Sequence, residues 1–452
     1  MLVTETKAAQ AGLPPQETLE ELVSLALAEA RKQGASAAEA GVGVDIGLSV
    51  NVRRGEVDTL EHQRDRGIGV TVYFGHRKGS ASSSDFRRES IIETVQSACA
   101  IARHTSEDPC QGLADPDLLA REIPDLDLYH PWDLDAEEAI RIARDCEAVA
   151  LAADPRICNS DGASLSTYSG IRVYGNTNDF LAGYKTSRHS LSCMVVGKEG
   201  DAMQRDYWYT VSRVPEELED AESVGRKAAE RTLKRLGARR LKTCTAPVLY
   251  APEVARGVLA HFISAISGGA LYRKASFLLD HLGKQVFPGF VRIEEQPHRP
   301  RGLGSAPFDQ EGVATRQRVL VEDGVLQGYV LSSYSARKLG MRSTGNAGGV
   351  HNLVIQPGER DFRGMLKELD RGLLVTELMG QGVNITTGDY SRGASGFWVE
   401  NGEIAYPVEE ITVAGNLRDM FQRLRAVGND VDPRGNILTG SLLIDGMTIA
   451  GE

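Results

Sequence analysis

Val42, Val44, Ile46, Leu48, Val50 and Val52 alternate strictly with other residues. A repeat of two matches the pleat of a β-strand and no helix, so one side of this segment must face a core while the other does not. Ile68, Val70, Val72 and Phe74 repeat the pattern after a polar connection. The two runs read as a pair of antiparallel strands.

Helical signals flank them. Over 17–31, Leu19, Leu22, Val23, Ala26, Leu27 and Ala30 recur at helical spacing, and Gly34 stands where a C′ glycine ends a helix. Ser84 or Asp85 is positioned to cap a helix carrying Ile91, Ile92, Val95, Ala98 and Ala102, and a further helix is predicted over 135–152. β-Branched and aromatic residues crowd 164–210, and a charged stretch rich in Ala, Arg, Lys and Glu follows over 216–236. This order predicts a sheet and then a surface helix. The basic run over 226–242 reads as the solvated face of that helix, preceded by Glu216, Glu217, Glu219 and Glu222.

A short polar run before Pro247-Val248-Leu249-Tyr250 marks the main boundary, dividing the chain into 1–240 and 241–452. Beyond it, Asp323-Gly324 and Asn401-Gly402 each separate two strand-like runs, the sequence signal of a two-residue hairpin turn. Many of the 48 glycines fall here, in stretches such as STGNAGGV and MGQGVNITTGDYSRGASG. The expected fold is α+β, with a mixed α/β N-terminal domain of antiparallel strands and helices followed by a mainly antiparallel β C-terminal domain.

Several functional classes recede on composition. None of the glycine clusters is a phosphate-binding loop between strand and helix, so no nucleotide cofactor is expected. A net charge of −11 opposes a nucleic-acid partner. No apolar run of transmembrane length or secretory leader is apparent, and the six cysteines form no C-x-x-C pair. A cytoplasmic, reduced, unexported chain is the expectation, with no membrane partner.

Three long runs carry a resemblance: GNAGGVHNLVIQPG (345–358), LLVTELMGQGVNITTGDYSRGASGFWVENGEIAYPVEEITVAGNL (373–417) and VGND (427–430). They resemble the TldD/PmbA metallopeptidase family, and HFISAISGGALYRKASFLLDHLGKQVF together with the N-terminal strands and helix places the resemblance on the PmbA (TldE-type) side. The resemblance implies paired subunits, in which a TldD-like chain carries an HExxxH zinc motif with a downstream cysteine and a PmbA-like chain completes a peptide-binding assembly.

A zinc peptidase needs imidazole donors, an open position for water and a carboxylate to take the water's proton. Where TldD-like chains carry the zinc helix, this sequence has His261 at the first histidine, Phe262 at the glutamate and Ile266 at the second histidine. No cysteine follows Cys244, and the nine histidines include no HExxH. No metal or other cofactor is therefore expected in this chain. Zinc belongs to the TldD-like partner, and activity is expected only with that partner. His261 itself reads most simply as a partly buried packing histidine.

Tyr272, Arg273 and His351 are candidates to touch peptide or partner, against the plainer reading that they are turn and core residues. A triad built from Asp280-His281 with Ser276 or Ser333 is disfavoured, because adjacent residues on regular structure point apart. The runs NITTGDYSRG and GFWVENG are read as strand edges able to take an extended peptide as an added strand. The expected function is that of the non-zinc subunit of a cytosolic peptidase acting on unfolded or small peptides, with self-pairing of the lone chain compatible with its surfaces. The alternatives are a metallopeptidase in its own right and a regulatory protein linked to DNA gyrase control.

Overall fold

The computed structural model describes residues 12–451. The N-terminal half runs α1 (Gln16–Lys32), β1 (Ala37–Arg53), β2 (Glu56–Phe74), β3 (Arg77–Ser83), α2 (Arg88–His104), α3 (Ala136–Ala152), β4 (Ile157–Asn176), β5 (Phe180–Glu199), β6 (Ala202–Ser212) and α4 (Ala221–Lys234). Its six strands form one sheet in the order β3-β2-β1-β4-β5-β6, with every neighbouring pair antiparallel.

The alternation that defines β1 sets the layer arrangement. Val42 and Val44 join the core beneath α1 and α2, whereas Leu48, Val50 and Val52 join the core beneath α3 and α4. Ile46, between the two, belongs to neither and is only partly buried. All these side chains leave the same face of the strand, so the four helices cover one side of the sheet as two adjacent pairs. The opposite side carries Gly41, Gly43, Asp45 and Gly47 from β1.

Local signals explain most helix ends. Gly34 takes φ 84° just past α1, and Asp135 and Asp220 cap α3 and α4 by accepting from the Glu138 and Ser223 amides. For α2 the expected capping geometry is replaced: the helix starts at Arg88 without a side-chain cap. Asp85 instead accepts from the Arg87 amide at 3.0 Å and from Ser90 Oγ at 2.7 Å. Helices α3 and α4 cross closely at Gly225, where an added Cβ would lie 2.2 Å from the Cys146 carbonyl oxygen.

The C-terminal half continues with β7 (Cys244–Tyr250), α5 (Pro252–Ala265), α6 (Gly268–Tyr272), β8 (Ile293–Glu295), β9 (Arg318–Glu322), β10 (Val325–Leu326), α7 (Ser333–Lys338), β11 (Leu353–Ile355), α8 (Phe362–Leu369), β12 (Gly372–Met379), β13 (Asp389–Glu400), β14 (Glu403–Asn416), α9 (Leu417–Gln422), β15 (Leu424–Val427), β16 (Ile437–Leu438) and β17 (Leu442–Ala450). A small sheet has the order β10-β9-β8-β11-β16, and a larger one β14-β13-β12-β7-β17-β15. In the larger sheet β14 also pairs with β17 through Thr412–Ala414 and Thr448–Ala450, so five strands close on themselves. Most pairs are antiparallel; β7–β12 and β11–β16 are parallel. Both hairpins read from the sequence are present. Asp323 and Gly324 have φ 48° and 75°, and Asn401 and Gly402 have φ 54° and 72°, the positive pair of a type I′ turn.

The basic run departs from a uniformly solvated face. Arg226 and Lys227 pair with Glu222 and Glu219 at the surface. Arg231 and Arg235 turn inward, where Arg231 meets Glu253 at 2.8 Å and Arg235 meets Glu377 at 2.6 Å. One side of α4 thereby joins the two halves of the chain through charge-assisted contacts.

Candidate functional site

The helix-free side of the first sheet faces C-terminal loops across a cavity of about 780 Å³, within the range of small-molecule sites. Its floor is thin. Gly43 pairs with Gly67 and Arg172, and Asp45 with Asp65 and Gly170, so backbone rather than side chain meets the cavity at three positions. At Gly170 an added Cβ would lie 2.2 Å from Asp45 Oδ1. Glycine inside a strand marks such a close approach. Segments 303–310 and 347–351 form the roof.

The roof carries the GNAGGVHN run. Gly345, Gly348 and Gly349 take positive φ, and Glu295, 2% exposed, ties the loop down. Its carboxylate accepts from Arg318 Nε at 2.9 Å, Asn346 Nδ2 at 2.8 Å and the His351 amide at 2.6 Å. His351 Nδ1 lies 3.3 Å from the Gly304 carbonyl, and its Nε2 has no partner. Burial lowers the imidazole's pKa, so the ring favours its neutral form. Nearby Asp309 accepts from the amides of Ala347, Glu311 and Val313 at 2.9–3.0 Å. Burial outweighs those three donors and pushes its pKa up to about 7.

Arg213 stands at the wall. It is 7% exposed, and its guanidinium donates to three carbonyls: Gly302 from Nε, Ser187 from Nη1 and Leu303 from Nη2, each at 3.0 Å. No carboxylate pairs with it among the described residues. Desolvation brings its pKa down to about 10. Arg172 and Arg188 line the same cavity.

Tyr272 and Arg273 lie elsewhere. Arg273 donates to the Tyr272 hydroxyl at 3.2 Å, and the Tyr272 ring packs edge-on against Tyr334 at 5.8 Å. Of the three candidate contact residues, the cavity collects His351 alone. Sequence reasoning missed Arg172, Arg188, Arg213 and Asp309. The available signal was the glycines at alternate positions of β1, which mark a face left open for close approach.

The zinc-motif positions occupy α5. Phe262 is 0% exposed, with its ring edge-on to Phe287 at 5.2 Å and Phe421 at 6.0 Å. Ile266 is equally buried in that core. His261 is half-buried, 6.0 Å from the Tyr390 ring. Burial and the like charge of Arg392 lower its pKa. These residues do not fit a zinc ion: one imidazole stands beside a hydrocarbon cluster that offers no second donor. Among the described residues, no three His, Cys, Asp or Glu side chains gather to hold a metal.

The strand-edge reading is corrected, and the disfavoured triad stays unformed. β13 pairs with β12 on one side and β14 on the other, so NITTGDYSRG and GFWVENG present no open edge over the paired residues of that strand. The triad finds no joining bond: His281 Nδ1 meets the Leu279 carbonyl, while Ser276 Oγ donates to Ala265 O.

Comparison with known proteins follows this architecture through the whole chain. Domain models of PmbA/TldA metallopeptidases match as domain 1 over residues 38–102, the central domain over 129–236 and the C-terminal domain over 243–451. The chain belongs to the PmbA/TldD metallopeptidase family, as a PmbA-type subunit. It is 52% identical to the metalloprotease PmbA of Escherichia coli O157:H7, covering 97% of each chain. A crystal structure from Bacteroides thetaiotaomicron, described as a candidate modulator of DNA gyrase, superposes with a TM-score of 0.91 at 30% identity, covering 96% of this chain and 98% of its own. A TldD homologue from Buchnera aphidicola is 21% identical, over 82% of this chain and 80% of its own. No helix among the described residues is long and apolar enough to cross a membrane.

Proposed function

We propose that this chain is the non-zinc subunit of a two-chain cytoplasmic peptidase, in which a TldD-like partner holds the catalytic zinc and unfolded or small peptides are the substrate. The observation that carries the reading is Phe262. Where the resemblance would place the glutamate that takes water's proton, a fully buried ring is packed against two others. A carboxylate in that role needs access to water and metal, and this position has neither. Occurrence of TldD-type and PmbA-type chains in one family supports a paired arrangement.

The test is to purify the chain alone and together with a TldD-like subunit of the same organism, and to measure bound zinc and cleavage of an unstructured peptide in each. Zinc and turnover confined to the pair are expected. Stoichiometric zinc with chelator-sensitive turnover in the lone chain would overturn the reading.

A further inference from the structure

The cavity between the first sheet and the C-terminal loops has a charge character opposite to that of the chain. The whole sequence carries −11, yet four arginines, Arg66, Arg172, Arg188 and Arg213, line this space against Asp45, Asp65 and Asp309. Asp309, with its pKa near 7, is a weak counterion at neutral pH. Arg66 is engaged with the Ser84 carbonyl and the Phe86 ring. Arg172 and Arg188 have no carboxylate or hydrogen-bond partner among the described residues.

Arg213 is the strongest sign. A buried cation is expensive unless paired, but only carbonyl oxygens meet this one. Three of its five N–H groups are used, leaving two to donate. The carbonyls fix the guanidinium plane at the cavity wall without neutralising it, and Arg188 adds repulsion there. Tyr184 lines the same cavity, and the charges of Arg172 and Arg213 both oppose the rise that burial gives its pKa. A preorganised guanidinium with free donors, two unpaired arginines and a floor of bare backbone suit a planar anion carried on an extended chain.

We propose that this cavity binds the carboxylate of a peptide, with Arg213 as the fixed donor, Arg172 and Arg188 as mobile partners, and the floor at Gly43, Gly67 and Gly170 admitting the peptide backbone. That the ligand is a peptide rests on the function proposed above; the carboxylate preference rests on the arginines. The chain then contributes its own substrate-binding surface to the pair. The carboxylate is either a free C-terminus or an acidic side chain, and the test separates them.

The experiment is calorimetric titration of the full lone chain with N-acetylated peptides of about eight Gly, Ser, Ala and Leu residues, about 25 Å when extended. One peptide ends in a free acid, one is amidated, and one is amidated with a single internal Glu. The free acid is expected to bind, and the uncharged amide to bind about ten- to a hundredfold more weakly, the range set by charge-assisted bonds. Binding by the free acid alone assigns the carboxylate to a C-terminus, and equal binding by the Glu peptide means that the site takes either carboxylate; both uphold the site. Arg172→Gln/Arg188→Gln, at two exposed positions, should retain the parent's urea midpoint and lose a similar factor in affinity. Arg213→Met tests the fixed donor, with its urea midpoint checked first. The proposal falls if the uncharged amide binds as tightly as the free acid, if the double variant binds like the parent, or if no peptide binds below about 1 mM. Turnover by the reconstituted pair is scored separately. Cleavage without binding by the lone chain overturns the site alone, and binding without cleavage by the pair overturns the proposed function alone.

Discussion

Introducing the missing zinc-motif groups, Phe262→Glu with Ile266→His, should unfold the chain more readily instead of creating an enzyme. Phe262 is 0% exposed and packs edge-on against the rings of both Phe287 and Phe421. Removing a buried phenylalanine ring costs about 3–5 kcal/mol. The introduced carboxylate would lie among hydrocarbon, where burial raises a glutamate pKa by about 3–4 units. The sign follows from linkage. The unfolded chain ionises this group above its ordinary pKa of about 4.3, whereas the folded chain keeps it protonated until about pH 8. The destabilisation therefore grows as pH rises, by about 1.4 kcal/mol per unit across that window, or about 4 kcal/mol between pH 5 and pH 8. The total at pH 8 is about 7–9 kcal/mol, a large part of the about 5–15 kcal/mol typical of a folded domain. Urea titrations at pH 5 and pH 8, followed by the fluorescence of Trp132, Trp208 and Trp398, measure it. A double variant as stable as its parent at both pH values, or one that binds stoichiometric zinc, would refute the reasoning.

Three further outcomes follow from particular contacts. Glu295→Ala strips Arg318, Asn346 and the His351 amide of one shared acceptor, and should cost about 3–5 kcal/mol by urea unfolding, because it strands a buried cation. Asp309, with its folded pKa raised to about 7, opposes folding increasingly from about pH 4 to pH 7, with an upper bound of about 4 kcal/mol. Asp309→Asn should flatten stability against pH in that window, and an unchanged slope would contradict this. Gly225→Ala sets two effects against each other. Helix propensity favours alanine by about 1 kcal/mol, but the Cβ would press on the Cys146 carbonyl, so a net loss of about 1–3 kcal/mol from overpacking is expected in thermal melts.

Periodicity and turn chemistry are properties of neighbouring residues, and they were legible without the fold. The alternation of β1 predicted which side chains are buried, Asp135 predicted the start of α3, and Asp323-Gly324 and Asn401-Gly402 predicted two tight hairpins, because each depends on a few consecutive backbone angles. The hairpin joining β1 to β2 was read only as a polar connection, since Arg54 occupies the first positive-φ position, at 53°, in place of the usual Asn or Asp. The family resemblance was carried by contiguous runs and was likewise local.

Strand order belonged to the tertiary structure. A period of two reveals that β13 has two faces, and it leaves open whether either edge is free; the pairings with β12 and β14 removed the expected peptide edge. Likewise Asp45, Arg172, Arg188, Arg213 and His351 are scattered over three hundred residues of sequence. They meet because β1 inserts between β2 and β4 and because loops of the other half fold across that face. Sequence spacing constrains side chains one or two turns apart, whereas a cavity between layers is made by long-range packing. The phenylalanine at position 262 was legible in the sequence, but its burial against two other rings was decided only when α5 packed beside α9 and the 284–290 segment.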